Sequence, residues 1–170
     1  MSEERIKSEL GWDEYYLSLA YAAARKSKDT RQKVGAVVVK GNTIVPGYNG
    51  SPRGVDDLKR RWEKPHKYKF VCHAERNALD NAQFDVSGGT LYITHYAPCC
   101  DCTQVLLQRG IVRVVCGSIS FRTKYASEPE ALEMLKDAGI NIEILNYDNL
   151  YEKITRISEE FHKSAKRLEL

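Results

Sequence analysis

Over residues 12–26 the apolar and small positions Trp12, Tyr15, Tyr16, Leu19, Ala20 and Ala23 recur at helical spacing, which predicts an amphipathic helix. Residues 34–39 are instead a short β-branched run. Lys40, Gly41 and Asn42 then form a turn, and 43–48 is a second apolar run, so the pair predicts a β-hairpin. Gly47, Gly50, Pro52 and Gly54 interrupt regular structure, and the charged stretch 56–69, carrying Trp62, is expected to be an exposed excursion. Helical spacing returns over 72–83. Thereafter the pattern alternates: strand 90–95, helix 99–109, strand 111–116, helix 128–138 closed by Gly139, and strand 140–145. A last helix runs from Leu150, with Leu150, Ile154, Ile157 and Phe161 on one face. Strands separated by single helices pair in parallel, because a crossover helix is the economical connection between parallel neighbours. The expected class is α/β: a three-layer α/β/α sandwich around a five-stranded mixed sheet, with an antiparallel first hairpin and the remaining strands parallel. Residues 1–170 are expected to form one domain, long enough for a single core.

Two clusters on this scaffold are hard to explain as packing. His73, Ala74 and Glu75 open one predicted helix, and Pro98, Cys99, Cys100, Asp101 and Cys102 open another. Cys99 and Cys102 have the C-x-x-C spacing with which one helical turn can grip a metal, and His73 supplies a third ligand. Three protein ligands leave a tetrahedral Zn²⁺ one open position. Water held there has its pKa lowered from about 15.7 toward roughly 7, and Glu75 is placed to carry its proton without being a ligand. Helix N-termini favour negative charge and so thiolate, and Pro98 fits just before such a helix. A structural zinc knuckle would ask for a fourth protein ligand and leave Glu75 without a task, and a redox dithiol would not need His73. Cys100 is a conceivable substitute ligand, although the helical spacing turns it away. His95 is a substrate-side residue or, less consistently with an open site, a fourth ligand.

Composition narrows this without naming a partner. Lys and Arg total 26 and Asp and Glu 23, a net charge of +3, far from the bias of a dedicated nucleic-acid binder. Five cysteines, three of them within 99–102, suit a reducing compartment and metal binding better than a disulfide framework. The first residues lack the layout of a secretory signal and no apolar run approaches a membrane span, so the expected location is cytoplasmic, with no membrane and no stable nucleic-acid partner.

The His73-Ala74-Glu75 and Pro98-Cys99-Cys100-Asp101-Cys102 pair resembles the H-x-E and P-C-x-x-C motifs of the zinc-dependent cytidine and deoxycytidylate deaminases. Ser27-Lys28-Asp29, Val34-Gly35-Ala36, the run from Gly47 to Gly54 and the run from Lys67 to Ala78 are similar to the deoxycytidylate (dCMP) branch, and the likeness extends over residues 12–145. The resemblance implies a cytidine-deaminase-like fold, one catalytic Zn²⁺ per chain on His73, Cys99 and Cys102, and hydroxide attack at C4 of the cytosine of dCMP. In it Glu75 carries the proton to N3 and then to ammonia. It further implies that Asn49 holds the deoxyribose, that Ser27, with Lys26 and Lys28 nearby, approaches the 5′-phosphate, and that Tyr125 closes over the nucleotide. Members are commonly homohexamers activated by dCTP and inhibited by dTTP, each with Mg²⁺. Gly47, Tyr48, Asn49, Gly50, Arg53 and Asp56 are the candidates for reporting such an effector. Between Thr90 and Pro98 the chain has one residue more than is usual in the family, and the expected result is a bulge that turns His95 or Tyr96 toward the pocket. Rival activities are deamination of dCTP, cytidine or guanine, polynucleotide editing, or a non-enzymatic zinc module.

Overall fold

Strand β1 (Gly35–Lys40) is buried over five of its six residues, the pattern of a strand covered on both faces. The computed structural model, which describes residues 8–118 and 129–168, sets it between β2 (Thr43–Tyr48) and β3 (Thr90–Ile93), antiparallel to both. β4 (Arg113–Ser118) and β5 (Ile142–Asn146) continue from β3 in parallel, giving a five-stranded sheet of order β2-β1-β3-β4-β5. The expected antiparallel hairpin and parallel half are both present.

Successive side chains of a strand point to opposite faces, and the core divides accordingly. Ala36, Val38, Leu91, Ile93, Val114 and Cys116 form one buried cluster with Ala78 and Leu79 of α3 (Ala74–Asn81), Leu106 of α4 (Cys100–Gln108) and Leu135 of α5 (Pro129–Asp137). Val37, Val39, Tyr92 and Val115 meet Leu17 and Ala20 of α1 (Trp12–Ala24) and Leu150 of α6 (Tyr147–Leu168) on the other face. The last helix begins at Tyr147 rather than Leu150, and its apolar stripe is not uniformly covered. Leu150 is 2% exposed, whereas Ile154 is 36% exposed.

Two departures from the expected outline bear on the site. The excursion after the hairpin is not irregular throughout: it contains a 3₁₀ turn (Lys59–Trp62) and the short helix α2 (Lys67–Phe70), each held by backbone hydrogen bonds. It then returns through a bridge in which the amides of Gly50 and Cys72 each donate to the other's carbonyl, at 3.1 and 2.9 Å. That bridge fixes where the next residue, His73, begins. The extra residue before Pro98 makes no bulge. β3 pairs in unbroken register with both neighbours up to Ile93, and the additional length is taken up by bends over 94–97, outside the ladder. No helix among the described residues is long and apolar enough to cross a membrane.

Candidate active site

The parallel half of the sheet meets the antiparallel half between β3 and β1, and past the end of β3 lies a cavity of about 300 Å³. Crevices at the carboxyl ends of strands, where strand order changes direction, are the usual ligand sites of open α/β sheets. His73, Glu75, Cys99, His95, Tyr96 and Asn49 all line it.

His73 and Cys99 are the N-cap residues of α3 and α4, each with extended backbone, so the two side chains project from adjacent helix ends. His73 Nδ1 lies 3.4 Å from Cys99 Sγ and 3.5 Å from Cys102 Sγ. The three donor atoms fall within 4.8 Å of one another. Zinc bonds of about 2.0–2.1 Å to nitrogen and 2.3 Å to sulfur, opened to a tetrahedral angle, put the two donors about 3.5 Å apart. The spacing and the mixed N/S donor set therefore fit Zn²⁺. Cys100, the first residue of α4, is not part of this group, and His95 also stands outside it, its Nδ1 3.1 Å from Thr94 Oγ1.

The three donors shift one another's protonation. The hydrogen bond with Cys102 is the main reason the Cys99 thiol is held well below its ordinary range, and His73 reinforces it against the opposing effect of burial. Cys102, sharing that hydrogen bond and more deeply buried, is pushed up. Interaction with Cys99 also raises His73, despite its burial. Glu75, one residue into α3 and 7% exposed, has its carboxyl raised by desolvation. A carboxyl moved toward neutrality in a cleft is suited to accept and return a proton. His95 is shifted the other way, since burial favours its neutral ring.

The other sequence candidates are distributed unevenly. Asn49 lines the cavity with both side-chain donors and one oxygen lone pair engaged in hydrogen bonds to the protein. Ser27 does not line it: the residue is buried behind the wall, donating from Oγ to the Asn49 carbonyl at 2.9 Å. His95 and Tyr96 reach the cavity with their rings edge to face at 6.2 Å. Tyr125 lies outside the described residues. The Gly47–Gly54 loop runs beside α3. Asn77 Nδ2 donates to the Tyr48 carbonyl at 2.8 Å, and Arg53 Nη2 donates to Asn81 Oδ1 at 2.7 Å. Arg61 Nη1 reaches the Asp56 carbonyl at 2.8 Å. Gln32, Lys67 and Tyr68 also line the cavity, and nothing in the sequence marks them as site residues. Lys67 was one lysine among several in a charged stretch, and only the fold of α2 turns it inward.

The chain is similar to known proteins over most of its length. Residues 10–118 match the model of the cytidine and deoxycytidylate deaminase zinc-binding region. The chain is 37% identical over 153 residues to the deoxycytidylate deaminase of Pongo abelii, covering 82% of this chain and 84% of that protein. Its identity to the Homo sapiens enzyme of the same name is 39% over 127 residues, covering 68% and 71% of the two chains. Among solved structures, the dCMP deaminase of cyanophage S-TIM5 in complex with dCMP and dUMP superposes with a TM-score of 0.64 at 30% identity, covering 83% of this chain and all of that one.

Proposed function

Since the chain belongs to the cytidine and deoxycytidylate deaminase family, we propose that it hydrolyses dCMP to dUMP and ammonia, feeding the synthesis of thymidylate. The observation that carries this reading is that His73, Cys99, the buried acid Glu75 and the polar Asn49 line one cavity, with buried Cys102 completing the donor cluster at its wall. Zn²⁺ on those three donors would supply a Lewis acid that lowers the pKa of a water toward roughly 7. Glu75 takes a proton from the attacking water and delivers it to cytosine N3, then takes the second proton from the hydroxyl now on C4 and passes it to the 4-amino group, which departs as ammonia. One carboxyl serves throughout because its protonated and ionised forms are visited in turn, and burial raises its pKa in the direction that favours proton uptake. In this reading His95 and Tyr96, which line the cavity, meet the base, and Asn49 meets the sugar.

Ammonia release from dCMP, dCTP, cytidine and guanine tests this directly. We expect dCMP to be preferred, and indifference to the 5′-phosphate would defeat the choice of nucleotide. The same reading includes a cytoplasmic homo-oligomer, commonly a hexamer in the family, activated by dCTP and inhibited by dTTP with Mg²⁺. The loop from Gly47 to Gly54 supports that regulation: it reaches the cavity through Asn49 and α3 through Tyr48 and Arg53. An unchanged dependence of rate on dCMP concentration in the presence of dTTP would refute it.

A further inference from the structure

Asn49 is set in a network that fixes which end of its amide faces where. The Val34 amide donates to Asn49 Oδ1 at 2.8 Å, and Asn49 Nδ2 donates to the Gln32 carbonyl at 3.0 Å and to Asp29 Oδ2 at 3.2 Å. An amide carries two N–H donors and one oxygen with two lone pairs. Both donors are spent on the protein, and one lone pair is spent on Val34. Turning the amide over would set N–H against N–H at Val34 and oxygen against a carboxylate at Asp29. The orientation is therefore locked, and what Asn49 has left for the cavity is an acceptor.

Asp29 is the residue that enforces this. It does not line the cavity and is 2% exposed, so it cannot itself meet a ligand there. Its Oδ1 accepts from the amides of Arg31 at 2.9 Å and Gln32 at 3.1 Å, while Oδ2 receives Asn49 Nδ2 and the ammonium of Lys67. A buried carboxylate so fully supplied with donors is held in one position. Lys67, from α2, both lines the cavity and neutralises Asp29, which joins the excursion to the sugar side of the pocket.

We propose that Asp29, with Lys67 as its counter-ion, is a positioning residue that makes Asn49 an obligate acceptor, so that the pocket selects a ligand bearing a hydrogen-bond donor on its sugar. The inference rests on the reading of the ligand as a 2′-deoxynucleotide, whose one free sugar hydroxyl is at the 3′ carbon. A site committed to one polarity rejects a partner of the opposite polarity, because the buried group is then left unpaired.

The unmodified enzyme tests this with dCMP and three analogues changed at the 3′ position: 3′-amino, 3′-fluoro and 3′-deoxy. The expected kcat/KM for the 3′-amino compound, a donor, lies within about tenfold of dCMP, whereas the 3′-fluoro and 3′-deoxy compounds fall by about 100-fold or more. Equal use of the 3′-fluoro compound and dCMP overturns the inference while leaving dCMP deamination standing. Failure of dCMP to bind by calorimetry or to turn over overturns the functional reading, and this inference with it. Asp29→Asn supplies the second arm. An amide at 29 presents N–H where Oδ2 was, the lock is lost, and the ratio of dCMP to 3′-deoxy-dCMP should shrink at least tenfold. A general loss of packing would lower both substrates alike and leave the ratio unchanged, and an unchanged ratio counts against the proposal. If Asp29→Asn does not fold, Lys67→Gln takes its place, with a smaller narrowing of the same ratio expected and no narrowing again adverse.

Discussion

Arg113 grips Asp13 across one hundred residues of chain through two parallel hydrogen bonds, Nη1 to Oδ1 at 2.7 Å and Nη2 to Oδ2 at 2.9 Å. The same guanidinium meets Glu143 through Nε at 2.8 Å, and the Tyr92 hydroxyl donates to Asp13 Oδ1 at 2.7 Å. Four elements, α1, β3, β4 and β5, are thus fastened at the sheet end opposite the cavity. The Arg113 hydrogen bonds hold the Asp13 carboxyl below its ordinary range, against the effect of burial.

The sign of the pH dependence follows from that shift. A carboxyl whose folded pKa is depressed contributes stability in full above its unfolded value, near 3.9, and loses it as pH falls through the lower folded value. Arg113→Leu should cost about 1–2 kcal/mol at pH 7, the lower part of the range for charged hydrogen bonds because both partners are partly exposed. Urea unfolding of the two proteins at pH 7 and near pH 2 measures this. A difference of equal size at both values would show that the pair contributes packing and no ionic term.

Gly47 is required by contact rather than by backbone angle. A Cβ there would sit 2.3 Å from the Ala78 amide nitrogen and 2.6 Å from the Ala74 carbonyl oxygen, so β2 lies directly against the backbone of α3. Backbone atoms cannot step aside as a side-chain tip can. Gly47→Ala should therefore destabilise the fold by about 1–3 kcal/mol and lower the melting temperature by several degrees. Because α3 carries His73 and Glu75, the variant should also lose turnover more steeply on heating than it loses helical signal.

The metal donors separate cleanly by variant. Cys99→Ser and Cys102→Ser should each remove most of the bound zinc, while Cys100→Ser should keep about one ion per chain, since only the outer two sulfurs stand within ligand distance of His73. Chelation of the wild-type protein should abolish turnover and lower the melting temperature, and added Zn²⁺ should restore both. Metal analysis beside calorimetry decides it, and retention of zinc by Cys102→Ser would remove that sulfur from the ligand set.

The mixed sheet with its antiparallel hairpin and parallel half was legible because its strands carry β-branched runs and the connecting helices have clear spacing, whereas the strand order, with β1 between β2 and β3, is set by long-range pairing. The metal cluster was legible for a different reason: C-x-x-C and H-x-E are short-range patterns, and each falls at a helix start that its neighbours mark. The setting of Ser27 was not legible, because proximity in sequence to Lys26 and Lys28 says nothing of which side of a wall a hydroxyl faces, and the fold turns its hydroxyl inward to the Asn49 carbonyl. Lys67 was missed because its role depends on a buried partner, Asp29, 38 positions away in the chain. The bulge expected before Pro98 did not form, because an extra residue beyond the last ladder pair at Ile93 costs the sheet nothing.

Glu75 provides the sharpest test of the chemistry. The residue is buried next to the metal donors yet outside their group, so its removal need not disturb the ion. Glu75→Gln keeps the shape and the hydrogen-bonding capacity of the side chain and removes its ability to take up a proton. Turnover of dCMP should fall by about 10²–10⁴-fold, the range for loss of a positioned acid-base group. Bound zinc and the Kd for dUMP should change little. A proton shuttle predicts that split between kcat and binding, whereas a helix-capping acid predicts a lower melting temperature with turnover intact. Measuring zinc content, product affinity and rate on the same preparation distinguishes the two, and full activity in Glu75→Gln would remove the residue from the mechanism.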